Sequence, residues 1–322
     1  GDLAAEVQAI GLVLLPESRA AHRAYKHHLG AEQHSDRKKS GPGVCGGCGE
    51  MRSPLPNDPA HKVGIIIPTY GHWDYVKLAV ESASQTPGAV IIIVDDGSPT
   101  WPGERVISGW VGDGVPYVIQ RYFANRRNLS RSWNTGIEIA RGIGCRYVVC
   151  GNSDLVFPRG WWEPLQAAID EGTDFVGPVT NAPGHVRAQD VSRYLPSYEI
   201  SDDPDDIETT QKELLAADHS PIETSKLNGF CFAGRTDRFT QIDKRPFSEK
   251  IPLLGNEDDF IRRAIAEKSM SANIIPKSFV FHYRSVTLGL EPSRPGQGAV
   301  RIPGCIPCAN RRSHALPQTL LY

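Results

Sequence analysis

Three places in the chain join an unbroken apolar run to residues that can do chemistry. They are Pro68-Thr69-Tyr70 after KVGIII, Asp95-Asp96 after AVIIIV, and Asn152-Ser153-Asp154 after CRYVVCG. In a parallel sheet, ligands bind outside the carboxyl ends of the strands, so polar residues that end apolar runs are where a site assembles. One Asp-Gly after a strand is an ordinary turn; three such ends in register describe a site. The seven cysteines include two CxxC pairs, Cys45-Gly46-Gly47-Cys48 and Cys305-Ile306-Pro307-Cys308. Each pair can place two sulfurs on one tetrahedral ion, so together they predict a structural zinc stapling the two ends of the chain; two disulfides or unligated thiols are the alternatives. Neither pair stands at a strand-to-helix junction, which argues against thioredoxin-like redox chemistry.

Elements must hold those strand ends in place. The runs VGIIIPTY and AVIIIVDDGS flank a helical spacing from Trp73 to Ser84, and strand, helix, strand with continuous apolar runs predicts a parallel sheet. A strand over Tyr117–Tyr122, a helix over Ser130–Arg141 and the strand CRYVVCG extend it. After Trp161 the pattern predicts a helix through Trp162–Asp170, a strand FVGPV, the segment LNGFCFAGR, a helix over Asp258–Glu267 and a strand SFVFHYR. Between Asp202 and Glu223 eight acids face one Lys212, which reads as a solvated loop or lid. Apolar residues between Leu3 and Leu29 return at helical spacing, broken at Pro16, and predict one or two docking helices.

The segments VGIIIPTY, VDDGS, NLSRSWNTGIEIARG, GNSDLVFPRGWWEPL, NGFCFAGR, NEDDFIRRA and FVFHYRSVT stand in the order seen in family 2 glycosyltransferases of the GT-A fold, which the chain resembles over about residues 62–287. The resemblance implies an α/β fold with a mixed, mainly parallel central sheet. It also implies a division into an N-terminal extension (1–61), a nucleotide-sugar half (62–155), an acceptor half (156–287) and a tail (288–322). It further implies inverting transfer of a sugar from a nucleoside diphosphate donor, UDP- or dTDP-linked, to an acceptor hydroxyl on a polysaccharide, a protein or a lipid-linked glycan; the cysteine pairs and the cations of the tail add modified DNA as a fourth acceptor class.

On that resemblance Pro68, Thr69, Tyr70, Asp95 and Asp96 grip the nucleoside, while Arg127, Asn128 and Asn134 lie close to the diphosphate. Carboxylates alone would repel a diphosphate, and a divalent cation resolves the conflict. The family carries it on a D-x-D motif; here those positions read Asn152-Ser153-Asp154, so Asp154 is the expected direct ligand of Mn2+ or Mg2+, while His282 matches a position that completes the metal shell in some relatives and is otherwise a structural histidine. Glu257, Asp258 and Asp259 match the segment that supplies the base, and without the resemblance they are acids favoured by a helix N-terminus. Trp161 and Trp162 could stack on a sugar ring or pack in the core. Arg126 and Arg131 read as ordinary helix charges.

Composition narrows the alternatives. Thirty-five Lys and Arg against 37 Asp and Glu give a net charge of -2, which argues against a protein that coats nucleic acid. The longest apolar stretches fall well short of a membrane span, and Asp2 and Glu6 precede the first of them where a signal peptide would be basic, so the expected location is cytoplasmic. A sugar nucleotidyltransferase would also arrange acids around a metal, but the early Gly-rich phosphate loop it needs is missing. Residues 277–322 carry six cations (Lys277, Arg284, Arg294, Arg301, Arg311 and Arg312) against Glu291, and this basic tail together with Asn152 speaks for the other rival, a zinc-bearing nucleic-acid-binding protein with an inert transferase domain.

Overall fold

The computed structural model describes residues 12–13, 62–122, 128–250 and 256–283, with the backbone alone for 12–13, 256–259 and 262. All of them belong to Gly1–Glu291, one of two units into which the chain divides. Leu12–Val13 form a two-residue strand, β1, where helical spacing was expected. Helix and strand compete for such short apolar runs, and here pairing across a sheet edge decides.

The first parallel unit comprises β2 (Val63–Thr69), α1 (Trp73–Ala83) and β3 (Ala89–Asp95). Every residue of both strands is buried, as unbroken apolar runs require of strands covered on two faces. They pair from Val63 with Ala89 to Thr69 with Asp95, so the two strands end side by side. A short helix α2 (Glu104–Ser108) leads to β4 (Tyr117–Arg121), which lies parallel to β3 on its outer side. Helix α3 (Leu129–Gly142) then crosses to β5 (Tyr147–Gly151), parallel to β2.

Further along come β6 (Leu155–Val156), α4 (Trp162–Asp170), β7 (Phe175–Val179), α5 (Pro204–Ala216), β8 (Ile222–Glu223), β9 (Cys231–Arg235), α6 (Thr236–Ile242), α7 (Asn256–Lys268), β10 (Ala272–Phe279) and β11 (Phe281–His282). Among the described residues nine strands form one sheet in the order β1-β4-β3-β2-β5-β9-β7-β10-β8, and β6 pairs with β11 apart from it. Strand β9 runs antiparallel to both β5 and β7, while β10 returns parallel to β7. The sheet is therefore mixed, with an all-parallel stretch from β4 to β5.

Alternate strand residues feed two cores. One face sets Ile66, Ile92, Val148 and Cys150 against Trp133, Ile137 and Ala140 of α3. The other sets Ile65, Ile67, Ile91 and Val149 against Val76, Ala79 and Val80 of α1 and Leu165 of α4. Trp161 and Trp162 belong to this second core, each 1% exposed, so they pack rather than stack on a sugar. The acidic stretch differs from its expectation: it contains α5, capped by Asp203, with Pro204 in the first turn. Its inner side buries Ile207, Gln211 and Leu214, and Gln211 donates to the carbonyls of Gly160 and Lys277 and accepts from Phe279 N–H.

Candidate active site

Parallel pairing of β4, β3, β2 and β5 brings their carboxyl ends to one edge, and the residues expected to hold a nucleoside lie there. Past β2 the chain turns through two successive left-handed residues, Gly71 at φ 72° and His72 at φ 53°. The turn is tied to the next strand end because Gly71 N–H donates to Ser98 Oγ at 2.7 Å, and Asp96 N–H donates to the Thr69 carbonyl at 2.9 Å. Asp95 is fully buried. It accepts from Ser98 N–H at 2.9 Å and from Arg121 Nε at 3.0 Å, so its two oxygens hold the loop and β4 in place.

Asp96 is nearly as buried and accepts from Arg131 Nη2 and from Asn128 N–H. Burial pushes its carboxyl above the ordinary carboxylate value, against the pull of Arg131 and the Asn128 amide. Arg131 also lies over the Tyr122 ring, 4.1 Å from its centroid. Read from sequence as an ordinary helix charge, Arg131 is instead the partner that lets a carboxylate stand buried at this edge. Its residue type carried no such signal, because Asp96 lies on a different element.

Asn128 caps α3 by accepting from Arg131 N–H at 3.0 Å, and its side chain donates to the Glu249 carbonyl at 2.8 Å. Asn134 is 1% exposed; it donates to the Phe247 carbonyl and to Glu249 Oε1, both at 2.9 Å, and accepts from Phe247 N–H at 3.1 Å. Both asparagines therefore strap residues 247–249 to α3. Arg127, expected beside them, lies outside the described residues, as do Cys45, Cys48, Cys305 and Cys308.

One strand over, Asn152, Ser153 and Asp154 follow β5. Asn152 N–H donates to the Phe230 carbonyl at 2.8 Å, and Ser153 and Asp154 are buried. Pairing of β6 with β11 sets Leu155 opposite His282, and Tyr283 N–H donates to the Asp154 carbonyl at 3.0 Å. The two expected cation ligands consequently meet: His282 Nε2 lies 3.3 Å from Asp154 Oδ1. The His282 ring stacks on Phe230 with centroids 5.6 Å apart, and its Nδ1 is buried with no hydrogen-bond partner among the described residues. One carboxylate oxygen and one imidazole nitrogen at contact distance suit a small divalent cation, Mn2+ better than Mg2+ because imidazole is the softer donor. Among the described residues no three His, Cys, Asp or Glu side chains gather into a fuller metal cluster.

Glu257, Asp258 and Asp259 fall in the first turn of α7; their side chains lie outside the described residues. Phe260, the next residue, is fully buried between Phe175, Phe239 and Phe247, at centroid distances of 5.2, 5.6 and 4.8 Å. That aromatic anchor fixes the start of the helix to the sheet.

A family model described as glycosyl transferase family 2 matches residues 64–235. Among solved structures, a crystal structure of GalNAc-T7 with UDP, GalNAc and Mn2+ is similar with a TM-score of 0.51 at 18% identity, covering 85% of this chain and 54% of that one. A crystal structure of residues 1–349 of S. aureus TarS gives 0.48 at 13% identity, covering 71% of this chain and 62% of that one. The same TarS segment in complex with UDP gives 0.48 at 13%, covering 69% and 60%. The chain thus spans about half the length of GalNAc-T7 and three fifths of the TarS segment. No curated protein matches in sequence. With more than half its length under the family model and the mixed sheet of the GT-A fold, the chain belongs to glycosyl transferase family 2.

Proposed function

We propose that the protein transfers a sugar, with inversion, from a nucleoside diphosphate sugar to an acceptor hydroxyl, with Mn2+ or Mg2+ held by Asp154 and His282. The observation that carries this reading is the 3.3 Å approach of His282 Nε2 to Asp154 Oδ1 at the edge where β2, β3 and β5 end. The Mn2+ and UDP named for the GalNAc-T7 structure support a UDP-linked donor and a divalent ion. Pro68, Thr69 and Tyr70 border the nucleoside, and Asp96, kept buried by Arg131, faces it across the strand ends. Asn152 and Ser153 border the diphosphate beside Asp154. When bound, the cation neutralises charge gathering on the departing diphosphate. One of Glu257, Asp258 and Asp259 accepts the acceptor hydroxyl proton, and the helix N-terminus favours the charged carboxylate that must do so. Residues 62–155 serve the donor and 156–287 the acceptor.

Titration of UDP against the protein with Mn2+ and with EDTA tests the metal: chelation and Asp154→Asn should each weaken binding by about 10-fold or more, and equal affinity in all three states would overturn it. Amide variants of the three acids should keep UDP binding, while one of them loses about 100-fold or more in turnover. Screening UDP- and dTDP-sugars against glycan, protein and modified-DNA acceptors identifies the pair used. Cys45, Cys48, Cys305 and Cys308 supply thiolates of the kind that hold a structural zinc. About one equivalent of zinc by elemental analysis, lost in Cys45→Ser, is expected; four free thiols and no zinc would refute it. A cytoplasmic location is part of this proposal; Cys145, Cys150 and Cys231 are buried free thiols, and no helix among the described residues is long and apolar enough to cross a membrane.

A further inference from the structure

Beside His282 stands a side chain that the transfer reading does not use. Asn181 follows the end of β7, and its amide makes both hydrogen bonds that a neighbouring strand would make to His282. The His282 N–H donates to Asn181 Oδ1 at 2.8 Å, and Asn181 Nδ2 donates to the His282 carbonyl at 3.0 Å. Because His282 offers one donor and one acceptor, only one orientation of the amide fits, and a carboxylate could satisfy only half of it.

The clamp matters because β11 has only two residues, and so short a strand holds itself in place weakly. Strand β6 pairs it on one side through Leu155 and Val156, and Asn181 supplies the missing side at His282 alone. Asn181 is itself on a fixed base. The neighbouring Thr180 is fully buried, its N–H donates to the Gln189 carbonyl at 2.8 Å and its carbonyl accepts from Val191 N–H at 3.0 Å. The Thr180 hydroxyl also donates to Asn181 Oδ1 at 3.2 Å. With both backbone groups of His282 held, the direction of its side chain is set, and Phe230 fixes the plane of the ring that brings Nε2 to Asp154.

We propose that Asn181 is a positioning residue for the divalent-cation site, acting by clamping the His282 backbone so that the imidazole is already aimed when the ion arrives. The proposal rests on the reading of Asp154 and His282 as cation ligands. Partners that orient a metal ligand from outside are typically worth about 10- to 100-fold in metal affinity. Electron paramagnetic resonance of free Mn2+ should be followed on titration into wild type, Asn181→Ala, Asn181→Asp and His282→Ala, alongside thermal melts and hydrogen exchange at the His282 amide.

His282→Ala should bind Mn2+ poorly, Asn181→Ala should bind about 10- to 100-fold more weakly than wild type while staying folded, and its His282 amide should exchange faster. Asn181→Asp keeps the shape and the acceptor but loses the donor. It should also bind more weakly, although its added negative charge by itself would attract the cation, and it carries the test if the alanine variant fails to fold. Wild-type Mn2+ affinity in a folded Asn181 variant, with His282→Ala still impaired, would overturn the clamp and leave the ligand reading standing. Failure of the wild type to bind Mn2+ would remove the ligand reading, and the proposal with it.

Discussion

Arg131 and Asp96 hold each other at a depth neither could occupy alone, with side chains 13% and 6% exposed. Removing one partner of such a pair strands the other charge away from water, which costs about 3–5 kcal/mol. Arg131→Ala should therefore lower unfolding free energy by about that amount at pH 7 in urea titrations. The sign of the pH dependence follows from Asp96, whose carboxyl burial already pushes upward. A protonated Asp96 has no charge to strand, so the deficit should shrink as pH falls toward the raised carboxyl value. A deficit that stays constant would mean the guanidinium acts mainly by packing on Tyr122. UDP binding should weaken in the same variant, because the loop after β3 loses the cation that fixes it.

Helix α3 comes so close to β2 that a Cβ on Gly136 would collide with the Cγ2 of Ile66. Overpacking a close contact of this kind costs about 1–3 kcal/mol. Gly136→Ala should lower the melting temperature and, by lifting the helix whose start carries Asn128 and Arg131, reduce UDP affinity; unchanged affinity would separate the helix position from the donor site. Elements of this kind were legible where burial is complete on both sides, since β2 and β3 can only be written as unbroken apolar runs. The reversal of β9 between β5 and β7 was not, because strand direction is set by partners far away in sequence. Helix α5 was missed since two of its inward residues, Thr210 and Gln211, are polar and its many acids conceal the stripe; Asp203 followed by Pro204 was the available start signal. The family pattern led to Asp154 and His282 being read together, and the structure does place them 3.3 Å apart. Arg131 and Asn181 were not legible, because each acts on a residue of another element.

For the molecule as a whole, the buried cysteines give the fold an alkaline weakness. Burial pushes the Cys145 thiol up to about 12, and it raises Cys150 and Cys231 as well. The native state then keeps protons that the unfolded chain releases near the ordinary value of 9.0, so the unfolded chain binds fewer protons across that window. Stability is complete below the ordinary value and falls as pH rises from 9.0 toward 12, by about 1.4 kcal/mol per pH unit for each such thiol. Urea midpoints between pH 8 and pH 10 should fall accordingly, and Cys145→Ala should lessen the slope by the share of one thiol. A slope unchanged by that substitution would assign the loss to other groups.

The β6–β11 ladder also sets a timetable. Asp154 precedes β7, β8, β9 and β10 in the chain, whereas His282, on β11, leaves the ribosome after every other described strand. Contacts between residues so distant along the chain close late, because loop entropy must be overcome before they stabilise anything. A nascent chain can therefore pair β2, β3, β4 and β5 while Asp154 still lacks the imidazole that later lies beside it. The approach of His282 to Asp154 waits for β11, so the ladder reports that the chain has been made through residue 282.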